Sequence, residues 1–121
     1  MRRGLSFATL VVGLTASGAA LAHALLVKAV PAVGGAVSAS PSEIRITYSE
    51  AVEPRFSGIA VKAVDGRSAE TGAAAVDPGD HATLVVAIKS PLRPGTYKVN
   101  WHVVSVDTHK TEGSFSFEVK P

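Results

Sequence analysis

Two runs of strict alternation near the C-terminal end leave this chain little choice of fold. Tyr97, Val99, Trp101 and Val103 alternate with Lys98, Asn100, His102 and Val104. This is the period-2 pattern of a strand with one buried face. Further on, Phe115, Phe117 and Val119 share one face, with Ser114, Ser116 and Glu118 on the other. Between the two runs lies Asp107-Thr108-His109, a carboxylate and an imidazole two residues apart. In extended chain, residues i and i+2 point to the same side. The pattern therefore predicts that Asp107 and His109 reach one point in space, where a metal ion is the occupant such donors suit.

The rest of the chain reads as short strands divided by turns. Glu43 to Ser49 sets Ile44, Ile46 and Tyr48 against Arg45, Thr47 and Ser49. Gly58 to Val64 carries Ile59 and Val61 inward, and Thr83 to Ile88 carries Leu84, Val86 and Ile88. His23 to Val30 is a further, largely apolar strand. Asp65-Gly66 is a hairpin-type turn signal, and Asp77-Pro78-Gly79-Asp80 is a strong turn. The Ala-rich run from Glu70 to Val76 fits a weak edge strand or a short helix. About seven short strands without helical periodicity predict an all-β domain, a compact sandwich or Greek-key barrel. The expected core is Ile44, Ile46, Tyr48, Ile59, Val61, Leu84, Val86, Tyr97, Val99, Trp101, Phe115 and Phe117. The Trp101 N–H is expected to find a hydrogen-bond partner there.

At the other end, Arg2 and Arg3 precede an apolar run that closes on Ala20-Leu21-Ala22. This is the layout of a secretory signal peptide over residues 1–22. It predicts an exported mature domain over residues 23–121, beginning at His23. A terminal His offers two nitrogens, its α-amine and imidazole Nδ1, which can close a chelate ring on one ion. An internal His offers only the ring.

Composition narrows the chemistry. Loss of Arg2 and Arg3 takes Lys plus Arg from 12 to 10, equal to the 10 Asp plus Glu. No basic block with interleaved aromatics remains, which argues against nucleic acid as a partner. The chain has no Cys, and its one Met is Met1. The mature domain thus offers neither thiolate nor thioether, the soft ligands that Cu(I) prefers, whereas imidazole, amine and carboxylate suit Cu(II).

Several segments together resemble the CopC family of periplasmic copper-binding proteins. They are His23-Ala-Leu-Leu, Pro31-x-x-Gly-Gly, Ile46-Thr-Tyr-Ser-Glu50-x-Val, the run from Pro94 through Tyr97, Trp101 and Ser105 to Asp107-x-His109, and Gly113-x-Phe115-x-Phe117-x-Val119. The resemblance spans the whole mature domain. It implies a Greek-key β-barrel of immunoglobulin-like shape. It also implies Cu(II) held by the amine and ring of His23, by Asp107 and by His109. The additional Met-rich Cu(I) site of some members is expected to be missing. An inner-membrane copper transporter of the CopD type is the partner the resemblance implies, and a monomer is expected.

The leading functional reading is a non-enzymatic copper carrier serving copper resistance, homeostasis or trafficking. A closed four-donor set without an open substrate position argues for binding rather than catalysis. Two readings compete with it. A copper-dependent oxidative enzyme would use the same terminal-His chelate, as lytic polysaccharide monooxygenases do, but most of the aromatic residues are assigned to the core or the signal. A metal-free β-sandwich interaction module would leave Asp107 and His109 as a solvated loop pair. His81 is expected in a turn, His102 on the surface opposite Trp101, and Glu50 and Glu53 in a solvated loop.

Overall fold

The computed structural model describes residues 24–121. The signal peptide expected over residues 1–22 and the expected metal ligand His23 lie outside them. Eight strands follow in order: β1 (Leu26–Val30), β2 (Ala36–Val37), β3 (Glu43–Tyr48), β4 (Gly58–Ala63), β5 (Ala75–Asp77), β6 (Asp80–Ala87), β7 (Gly95–Val104) and β8 (Lys110–Val119). One 3₁₀ turn, Pro54–Phe56, interrupts them.

The strands form two four-stranded sheets, ordered β1-β3-β6-β5 and β2-β8-β7-β4. The long β7–β8 ladder is the backbone of the second sheet, in register from Gly95↔Val119 to Val104↔Lys110. Its alternation is realised as read. Tyr97, Val99, Trp101 and Val103 are buried, as are Phe115, Phe117 and Val119. These residues join Ile44, Ile46, Tyr48, Leu84 and Val86 from the other sheet in one core. Each large apolar side chain removed from water there contributes about 1.5–3 kcal/mol before the entropy of ordering is counted.

Aromatic contacts brace one sheet and join it to the other. The Tyr97 and Phe117 rings stack at 5.7 Å on neighbouring strands. Tyr48 meets Trp101 edge-on across the two sheets, at 5.1 Å between centroids. Trp101 fits because its partner across the ladder is Gly113. A Cβ on Gly113 would lie 2.7 Å from Trp101 Cζ2. The expected partner for the Trp101 N–H is not found: among the described residues neither Trp101 Nε1 nor the Tyr48 hydroxyl has one. The indole is placed by its packing.

One strand lies beyond the sequence reading, and one of its open alternatives is decided. The eighth strand is β2, a two-residue piece parallel to the end of β8 (Ala36↔Glu118, Val37↔Val119). The Ala-rich run ends in the short edge strand β5, which pairs with β6.

The topology gathers several chain ends at one end of the sandwich. β3 runs out there and β1 begins, since Leu26 pairs with Tyr48. β6 begins there, with Thr47 opposite Thr83. The segment after β3 crosses to the other sheet. Val52 N–H donates to the His81 carbonyl at 3.1 Å, and Glu53 N–H donates to the Val104 carbonyl at 2.8 Å. Val52 also bridges to Ser105. The β7–β8 connection therefore lies beside the start of β1.

Candidate metal centre

The connection from β7 to β8 is a three-residue hairpin loop. Ser105 N–H donates to the His109 carbonyl at 2.9 Å, and Thr108 N–H donates to the Ser105 carbonyl at 2.8 Å. The third loop residue, Thr108, has φ +73°. This is the left-handed position that such loops require. Asp107 and His109 therefore do not lie in extended chain, and strand alternation is not what brings them together. The turn does so: His109 Nδ1 lies 3.2 Å from Asp107 Oδ1.

A buried hydroxyl organises this loop. Ser105 is fully buried. Its Oγ donates a short hydrogen bond to Asp107 Oδ1 and accepts from His109 N–H at 3.3 Å. His109 N–H also approaches Asp107 Oδ1, at 3.4 Å. The Ser105 hydroxyl foremost, with the ring and N–H of His109, holds the Asp107 carboxyl below its ordinary range. The carboxylate is thereby kept ionised and fixed in direction, as a metal ligand must be. Both side chains remain about half exposed, at 45% for Asp107 and 46% for His109, so an ion can reach them.

The spacing suits two neighbouring donors of one ion. Donors held at about 2.0–2.1 Å lie roughly 2.9 Å apart at a square corner and roughly 3.4 Å apart at a tetrahedral one. The observed 3.2 Å falls between these limits. Two donors do not complete a site. Among the described residues no group of three or more His, Cys, Asp or Glu side chains converges. The remaining donor that the sequence analysis expects, His23, lies outside the described residues.

The start of the described chain is nonetheless close by. Ala24 is fully buried, and its carbonyl accepts from Thr111 Oγ1 at 2.9 Å. Thr111 is two residues past His109. Leu25 is fixed to β3's end: its N–H donates to Ser49 Oγ at 2.8 Å, and its carbonyl accepts from Ser49 N–H at 2.8 Å.

The other candidates stay apart from this loop. His81 is on strand β6, not in a turn, because Asp80 already pairs with Asp77 and opens the strand. His102 is exposed on the outer face of β7, as expected, with its ring over Gly58. Glu50 and Glu53 are half-buried on the crossing segment. Sequence reasoning gave no weight to Ser105 and did not single out Thr111 or Ser49. A Ser two residues before an Asp at a strand end was the available signal for the first. Nothing local pointed to Thr111, whose partner is 87 residues away.

Comparison with known proteins agrees with this architecture. A family model described as the CopC domain matches residues 26–120. The chain is 40% identical over 121 residues to copper resistance protein C of Pseudomonas syringae pv. tomato, covering 95% of each chain. It is 42% identical over 99 residues to protein YobA of Escherichia coli K12, covering 82% of this chain and 80% of YobA. It is 29% identical over 98 residues to copper transport protein CutJ of Bacillus subtilis, covering 81% of this chain but 18% of CutJ. The crystal structure of CopC from Methylosinus trichosporium OB3b superposes with a TM-score of 0.76 at 30% identity, covering 82% of this chain and 95% of that one.

Proposed function

Since the chain belongs to the CopC family, we propose that it is an exported copper carrier that holds Cu(II) through His23, Asp107 and His109. The signal peptide over residues 1–22 is removed, and His23 becomes the terminal residue. Its amine and ring supply two nitrogens, His109 supplies a third and Asp107 supplies an oxygen. The observation that carries this reading is the Asp107–His109 pair, 3.2 Å apart and set by a buried Ser105. Its place beside Ala24 supports the third ligand. A sequence with no Cys and only Met1 supports the cupric state.

Carriage rather than catalysis fits the surface. Tyr48, Tyr97, Trp101, Phe115 and Phe117 are all buried, and Phe56 is the large exposed aromatic among the described residues. Sugar stacking would need several. The partner we propose is a membrane copper transporter of the CopD type. In CutJ the similar segment is a minor part of a longer chain named for copper transport, which favours this domain working beside a transport module. We place the mature domain in the periplasm as a monomer.

Copper binding needs the neutral ring and the neutral amine, so protons compete with the ion and affinity falls as the solution is made acid. The test is Cu(II) titration of the mature protein with electron paramagnetic resonance. The expected spectrum is tetragonal with nitrogen coupling, and His109→Ala loses one coupled nitrogen and weakens binding. Failure to bind Cu(II), or an unchanged spectrum in His109→Ala, rules the reading out.

A further inference from the structure

We infer that Thr111 is the positioning residue that holds the start of the mature chain against the Asp107–His109 loop; this rests on the chelate proposed above. The residues of β8 that share its inward face are Thr111, Gly113, Phe115, Phe117 and Val119. Thr111 is the one hydroxyl in that row, opposite the fully buried Val103. Packing alone would be served as well by Val. What the hydroxyl adds is a bond to the Ala24 carbonyl at 2.9 Å, and Ala24 is itself fully buried.

This bond closes an 87-residue separation at the point where it is useful. Thr111 stands two residues from His109, at most roughly 7 Å along the chain. Residue 23 is joined directly to Ala24, with about 3.8 Å between their Cα atoms. The tether therefore limits how far the terminal residue can stray from the end of the sandwich that carries the Asp107–His109 loop. Ser49 secures the next residue, Leu25, through two hydrogen bonds of 2.8 Å. A ligand at a free chain end otherwise loses its conformational freedom only when the ion binds, and affinity falls accordingly. Thr111 makes no contact with the ion; it acts through Ala24.

The test is a cycle of Thr111→Val, Thr111→Ser and His23→Ala in the mature protein, read as the Cu(II) dissociation constant by competition titration. Val suits a strand and keeps the shape, so the domain folds, and urea unfolding verifies it. Thr111→Val is expected to weaken Cu(II) binding about tenfold, equivalent to about 1.4 kcal/mol. Thr111→Ser, which restores the hydroxyl, is expected within about threefold of the parent. In the His23→Ala background, where the ring is gone and the tether carries only the amine, Thr111→Val is expected to cost clearly less than in the parent. Equal loss in both backgrounds, or no loss in either, overturns the positioning role. A His23→Ala protein that binds Cu(II) as tightly as the parent overturns the chelate reading itself, and the positioning role with it.

Discussion

Thr108 holds the same left-handed backbone conformation, φ +73°, that Gly66 holds at φ +95°. Both are the third residue of a three-residue hairpin loop. Ala63 and Arg67 close one loop and Ser105 and His109 the other, each with the same pair of backbone hydrogen bonds. Glycine adopts this conformation without strain, and a β-branched residue does not. The strain at Thr108 sits between the two candidate ligands.

Thr108→Gly is therefore expected to stabilise the domain by about 1 kcal/mol. Relief of about 1–3 kcal/mol of left-handed strain is partly offset by the roughly 0.5–1 kcal/mol entropy cost of glycine. Urea unfolding measures it, and a destabilised variant would show that Thr108 is held by contacts worth more than the strain.

Ser105→Ala is expected to raise the Asp107 carboxyl toward its ordinary value, since that hydroxyl is the foremost cause of the depression. The sign of the pH effect follows. A carboxyl lowered in the folded state stabilises above its unfolded value of about 3.9, and that contribution is lost as pH falls through the lower folded value. The variant should lose less stability than the parent over that acid range. A carbon NMR titration of Asp107 gives the shift directly, and an unmoved midpoint would remove Ser105 from its role.

Two glycines should respond unequally to alanine. At Gly113 the added Cβ meets Trp101 Cζ2 at 2.7 Å, and at Gly58 it meets His102 Cε1 at 2.7 Å. Trp101 is locked in the core, whereas His102 is exposed and can swing away. Gly113→Ala should cost about 1–3 kcal/mol, as overpacking does. Gly58→Ala should stay within about 0.5 kcal/mol of the parent. Equal losses by chemical denaturation would mean that His102 is as fixed as the indole.

Tyr48→Phe should leave the domain as stable as the parent or raise its stability by up to about 1 kcal/mol, since the buried hydroxyl finds no partner among the described residues. Burial pushes the phenol well above its ordinary value. The unfolded chain ionises first, near pH 10, so the parent loses stability as pH rises beyond that point. The variant should lose less. Equal alkaline profiles in unfolding experiments would place the Tyr48 hydroxyl in water.

The core was legible in the sequence because burial here follows strand alternation, and all twelve expected residues are buried. Val52 and Leu92 were missed because they lie outside any strand, and Ala24 because it precedes β1 and belongs to no alternation. β2 was illegible for a related reason: two residues carry no period, and their pairing to Glu118 and Val119 is non-local. Asp107 and His109 were identified as a pair through the wrong geometry, since a left-handed residue at Thr108 turns the chain where the alternation implied it ran straight. The Thr111–Ala24 bond could not be read at all, because it exists only once both sheets have closed.

The proposed chelate depends on a free amine at His23, and one added residue removes it while leaving every side chain in place. Cu(II) affinity should be compared for the protein beginning at His23 and for the same protein with a single alanine ahead of it. A loss of at least about tenfold, with one fewer nitrogen in the resonance spectrum, is the expected result. Equal affinity and an identical spectrum would mean that the amine is no ligand and that the copper site is built some other way.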